Sequence, residues 1–145
     1  MADVAHMYYN GAIALSEGVI EWTSSTTNLS MALFTSVYSP AQSTDTTYTS
    51  IATNELSAGS GYATGGTALP SMANPTTVSS NIVLASGNPS WSGASFTGVV
   101  TAVIYCTAGS KPLLGFIEYG TAKAAQGGTF SITYPTAGWF EWTPG

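Results

Sequence analysis

The chain has 145 residues, 44% of them apolar and 12% aromatic, but only 6% charged, against roughly 25% charged in an average globular protein. That is one domain's length with enough apolar side chains to pack a core, which excludes intrinsic disorder, and there is no run of about 18 apolar residues that would span a bilayer as a helix. Two lysines, no arginine and seven carboxylates leave a formal charge of −5, which opposes binding to nucleic-acid phosphates or anionic membrane surfaces, since both need clustered Lys and Arg.

The first residues, MADVAHMYYNGA, lack the basic and apolar regions of a secretion signal. The expectation is a chain that begins at its own start codon, with residues 1–10 an arm that is flexible or ordered only on assembly. Asn10 to Glu17 places Ile13, Ala14 and Glu17 at helical spacing and predicts two helical turns ended by Gly18. From Asn28 the period changes. Leu29, Met31 and Leu33 alternate with smaller residues as in a strand, while Phe34 and Tyr38 break the alternation and imply that its second face is covered too. A long polar excursion, SPAQSTDTTYTS, leads into the glycine-rich stretch NELSAGSGYATGGTAL, Asn54 to Leu69.

Short strands are predicted at Thr67 to Leu69 and Val78 to Ala85, in a region punctuated by Pro70, Pro75 and Pro89. Phe96 to Cys106 is β-branched and apolar on both faces, the pattern of a central strand. Leu113 to Tyr119 reads as a further strand and GTAKAAQGG as the connection to TFSITY, where Phe130, Ile132 and Tyr134 alternate with polar residues. GWFEW, Gly138 to Trp142, closes the set. Seven or eight short strands without intervening helices predict one all-β domain over residues 1–145, an antiparallel β-sandwich or jelly-roll-like fold with at most one short N-terminal helix.

Candidate chemistry is sparse. Gly59, Gly61 and Gly65 form G-x-G-x-x-x-G, one residue too long for a dinucleotide fingerprint, and no Gly-Lys-Ser/Thr follows to make a phosphate loop. The glycines are read instead as positive-φ turn formers. His6 and Cys106 are the only residues of their kinds and show no metal-ligand spacing; Cys106, between Tyr105 and Thr107, reads as a small core residue. Glu17 and Glu21 are four apart, and Glu118 and Glu141 lie in strands that could be neighbours, so a glycosidase-like acid pair stays open beside the plainer reading of exposed carboxylates. Trp22, Trp91, Trp139 and Trp142 could form an aromatic platform for sugar rings, or, in the case of the GWFEW cluster, a core edge or subunit contact. No catalytic residue, cofactor or metal is expected.

Taken together, GAIALSEGVIEW, TTNLSMALFTSVYSP, ASFTGVVTAVIYC, KPLLGFIEYG, GGTFSITYPTAGWFEW and the glycine stretch with Asn54, Glu55, Ser57, Gly59, Gly61, Tyr62, Gly65, Gly66 and Leu69 resemble a family of small virion structural proteins of tailed bacteriophages. The resemblance runs from about Gly11 to Trp142 and implies a head decoration or cement protein on the outside of the shell. It also implies the major capsid protein, or a tail protein, as partner, a homo-oligomer with a trimer favoured, and location in the virion after synthesis in the bacterial cytoplasm. A tail or fibre-associated protein and a carbohydrate-binding module are the alternatives. Contacts to protein neighbours are expected from Met7, Tyr8, Tyr9, Tyr62, Trp139, Phe140 and Trp142, with Tyr62 the one anchoring side chain of the glycine loop.

Overall fold

The structure is a computed structural model and describes residues 3–134 and 137–143. Two antiparallel sheets carry the fold. The first is built from β1 (Val4–Met7), β2 (Leu29–Phe34), β3 (Thr67–Ala68), β6 (Ser90–Cys106) and β7 (Leu113–Ser131), in the spatial order β1-β7-β6-β2-β3. The second contains β4 (Thr76–Val78), β5 (Asn81–Leu84) and β8 (Phe140–Trp142), in the order β4-β5-β8. Two short helices, α1 (Tyr9–Ser16) and α2 (Tyr48–Ile51), complete it, and no described helix is long and apolar enough to cross a membrane. The chain is thus an all-β sandwich, with a second, single-turn helix beyond the N-terminal one.

The expected central strand is central, flanked by β7 on one side and β2 on the other. All six residues of β2 are buried, because both faces of the five-stranded sheet are covered. On one face Met31, Leu33, Ala102, Ile104 and Ile117 pack against Leu84 and Phe140 of the smaller sheet and Trp139 just before β8. On the other, Ala32, Phe34, Val103, Tyr105 and Phe116 are roofed by Tyr8, Tyr38, Tyr48 and Ile51 from loops and helices. Cys106 lies among the first set as a buried core residue.

Three expectations change. Residues 4–7 of the expected arm are a sheet strand, register Val4↔Glu118 to Met7↔Gly115, and Tyr8 is fully buried; an apolar alternation beside an unpaired β7 edge is enough to dock them. Val78 to Ala85 is a hairpin rather than one strand: Ser79 and Ser80 take φ of 50° and 70°, and Val78 pairs with Asn81. Two consecutive left-handed residues make the tight turn that suits the twist of a hairpin. Finally, GTAKAAQGG is no connection but the middle of β7, a strand of 19 residues that follows β6 through several bulges. The chain's C-terminal strand is Phe140–Trp142, as expected for GWFEW, paired with Ile82–Leu84.

The glycine loop depends on close backbone approach. Gly66 has φ of +74°, and a Cβ there would stand 1.8 Å from the Met31 carbonyl oxygen. Gly127 has a similar φ of +78° with open space around it. Gly66→Ala is therefore expected to lose more than about 3 kcal/mol in denaturant unfolding and Gly127→Ala only about 1 kcal/mol, the difference being steric rather than conformational. Equal losses would mean that the loop does not sit against β2.

Candidate functional site

The glycine loop is closed from within by a carboxylate. Glu55 follows the 3-10 turn Ala52–Asn54 and bridges to Phe34 at the end of β2. Its side chain accepts hydrogen bonds from the Tyr48 hydroxyl at 2.5 Å, the Tyr62 hydroxyl at 2.5 Å and the Gly65 N–H at 2.7 Å. The Tyr62 oxygen in turn accepts from the Leu33 N–H at 2.9 Å, and Tyr105 donates to the Gly65 carbonyl at 2.8 Å. The Tyr48 and Tyr105 rings stack with centroids 4.2 Å apart. Tyr62 does anchor the loop, but it shares the task with Glu55, which sequence reasoning placed in the motif without a role.

This geometry answers the phosphate question. An anion cradle needs several N–H groups turned toward an empty centre. Here the Gly65 N–H is taken by Glu55, the Gly66 N–H by the Ala63 carbonyl and the Gly59 N–H by the Tyr62 carbonyl. A carboxylate already occupies the centre and would repel a phosphate.

A second carboxylate does the same work on the neighbouring loop. Asp45 accepts from the Tyr38 hydroxyl at 2.7 Å and the Ala41 N–H at 2.8 Å, and the Tyr38 hydroxyl is also 2.7 Å from that of Tyr8. Burial is the main cause that pushes the hydroxyls of Tyr8, Tyr38, Tyr48 and Tyr62 well above the ordinary tyrosine value. Hydrogen bonds to Glu55 add to the shift at Tyr48 and Tyr62, and bonds to Tyr8 and Asp45 add to it at Tyr38. Tyr105 is pushed up to about 12 by burial and then by the charge of Glu55, and Tyr119 is raised by burial and then by Asp3.

The open feature of the surface lies elsewhere. A crevice of about 770 Å³ runs along one side of the sandwich, between Val4, Ala5 and Met7 of β1, Ala12 and Leu15 of α1, and Phe140 and Trp142 of β8. Of the residues expected to contact partners, Met7 lines this crevice half-buried and Trp142, 43% exposed, stands at its rim. Tyr9 is 60% exposed on α1. Tyr8 and Tyr62 are corrected: both are buried in the chain's own core, since an aromatic ring on a short strand or loop gains more from packing under the sheet than from water, and Trp139 and Phe140, though they line the crevice, are core residues too. Val4, Ala12 and Leu15 were missed, because nothing in a sequence marks which small apolar residues remain at an opening.

The other candidates separate. His6 sits in β1 with Nε2 3.8 Å from a Glu118 oxygen and its ring beside Phe116. No group of three or more His, Cys, Asp or Glu that could hold a metal occurs among the described residues. Glu17 and Glu21 do not share a helical face, because α1 ends at Ser16, and Glu118 and Glu141 belong to different sheets. Trp22, Trp91 and Trp139 are buried, so the tryptophans form no exposed platform and Trp142 alone faces solvent. Compared with protein-family models, with curated proteins and with solved structures, the chain matches none.

Two outcomes follow from the carboxylate clamps. Glu55→Gln keeps one accepting oxygen but puts an NH2 group, a donor only, where the other carboxylate oxygen accepted from a buried tyrosine hydroxyl. A loss of about 2 kcal/mol in urea unfolding is expected, with faster amide exchange at Gly65 and none in β5. The raised tyrosines hold their protons in the folded chain, whereas the unfolded chain releases them near 10.0, the ordinary value. Stability is therefore full below that pH and falls above it, by about 1.4 kcal/mol per pH unit for each such tyrosine. Tyrosinate absorbance should rise in one step together with the loss of near-ultraviolet circular dichroism; a gradual rise in a folded chain would show the hydroxyls open to water.

Proposed function

We propose that the chain is a structural protein of a tailed-bacteriophage particle, a decoration or cement protein seated on the outside of the head and bound to the major capsid protein. The resemblance of the glycine-loop motif to that family motivates the reading. The single observation that carries it is the surface left after folding. Among the described residues one lysine–carboxylate ion pair occurs, Lys123–Asp3, beside a contact of His6 with Glu118, and Asp45 and Glu55 are spent on internal hydroxyls. What remains outside is mostly Ser, Thr, Gly and Ala with scattered apolar side chains, among them Val4, Ile13, Val19, Val37 and Trp142.

Such a surface favours association by apolar burial and neutral hydrogen bonds over ionic steering. A formal charge of −5 keeps the chain away from packaged nucleic acid and so suits the outer side of a shell. Trimeric clustering at symmetry axes belongs to the same reading, and no catalytic turnover does. The motif residues Glu55, Tyr62, Gly65 and Gly66 fit it as well, because their hydrogen bonds and close approach serve the fold.

Immunogold labelling of intact particles, with antibody raised against the purified chain, tests this. A regular pattern on heads is the expected result; label confined to tails or fibres would move the protein there, and particles without label would end the proposal. Occupancy should change less than about twofold between about 0.05 M and 1 M salt, because few of the contacts are screened. A tenfold loss over that range, on the order expected for ionic attachment, would contradict the contact chemistry.

A further inference from the structure

We infer that the crevice beside β1 is a docking site for a short extended segment of a different protein, one that adds a strand to the β1 edge and carries a lysine or arginine. The inference stands apart from the particle reading, since it rests on three local observations.

The first is an unpaired backbone edge. β1 is the outermost strand of its sheet. The Tyr8 N–H donates to the Leu114 carbonyl at 3.0 Å, so alternation along an antiparallel strand turns the N–H and C=O groups of Ala5 and Met7 away from β7. The Met7 carbonyl, facing outward, is met by the Gln42 side-chain amide at 2.7 Å, and Gln42 closes that end of the edge. The Ala5 N–H, the Ala5 C=O and the Met7 N–H meet no partner among the described residues. An added strand would satisfy them over about five residues, from Asp3 to Met7.

The second is what lies beside that edge. Alternate side chains of an added strand would enter the crevice, against Ala12 and Leu15 on one wall and Trp142 on the other. The crevice is only about half enclosed, whereas a small-molecule site encloses most of its ligand's surface. An extended chain suits the shape better.

The third is charge. Asp3 and Glu141 both line the crevice. Asp3 is 3.3 Å from Lys123, but among the described residues Glu141 accepts only a 3.3 Å bond from the Asn81 amide. The rim therefore favours a cation. A second copy of this chain is poorly equipped to supply one: its two lysines are Lys123, held by Asp3, and Lys111, placed over the Tyr48 ring at 5.7 Å. The complementary segment must come from another protein.

Selection of random peptides of about nine residues, long enough to extend past a five-residue edge, against the full chain tests this. The Ala12→Trp variant serves as counter-target, because Ala12 is exposed at the crevice and the larger ring fills it without disturbing the core. Enriched peptides should alternate apolar residues, carry Lys or Arg, and bind Ala12→Trp at least about tenfold more weakly, and they should slow amide exchange at Ala5 and Met7. Glu141→Lys should remove the preference for basic peptides while leaving the thermal midpoint nearly unchanged. No enrichment, equal binding to Ala12→Trp, or protection at other amides would overturn the inference. So would self-association abolished by Ala12→Trp, which would give the crevice to a second copy, or saturable laurate binding there without any peptide, which would give it to a small apolar molecule.

Discussion

The structure depends on one constraint: the strands at the middle of the larger sheet are apolar on both faces, so both faces must be roofed. β2 buries every residue, and the C-terminal half of β6 does nearly the same. One roof is a second sheet, which brings Trp139 and Phe140 down on Ile104 and Ile117. The other is assembled from loops, whose large side chains are mostly tyrosines. A tyrosine roof buries hydroxyls, and a buried hydroxyl without a partner costs about 1–3 kcal/mol. Asp45 and Glu55 meet that need. The long polar excursion and the glycine loop are thereby joined to the core: their apparent looseness in sequence hides two carboxylates, Asp45 with two donors and Glu55 with three.

This use of charge explains the composition. Seven carboxylates are few for 145 residues, and two of them face inward, where they hold loops instead of solvating the surface. Asp3 is paired with Lys123, and Glu118 lies beside His6. The outer surface is left to Ser, Thr, Gly and Ala, whose groups lose little when a neighbour covers them. A chain built this way has weak electrostatic specificity over long distances, and recognition must come from shape and from backbone edges.

Legibility in the sequence followed the same physics. The central strand and β2 were readable because β-branched and apolar residues dominate them, and Phe34 and Tyr38 correctly announced a second covered face. The middle of β7 was not readable, since Gly, Ala and Gln have weak strand preference and are held there only by pairing with β6. The β4–β5 turn was missed because two serines, rather than Asn-Gly, occupy the left-handed positions. The exposure of the expected contact residues was not legible. Large apolar or aromatic side chains marked Met7, Tyr8, Tyr9, Tyr62, Trp139, Phe140 and Trp142 alike, and only the topology separates those that fill the core from those that stay exposed or at an opening.

The opening itself follows from a mismatch between the two sheets. β6 and β7 have 17 and 19 residues, whereas the strands facing them from the smaller sheet have three or four. Three short strands cannot roof five. Elsewhere the deficit is filled, by the Tyr62, Trp91, Phe96 and Phe130 cluster at one end and by Trp22 and α1 nearer the middle. At β1 the filling stops, and Val4 and Trp142 remain partly in water on opposite sides of the gap. Proteins that must avoid strand addition usually guard such an edge with lysine, proline or a bulge. β1 has none of these, only His6 in the strand and Asp3 and Glu141 beside it. Negative charge at an otherwise receptive edge discriminates among partners instead of refusing them all: it repels acidic segments, including further copies of this chain, and leaves the edge available to a basic one.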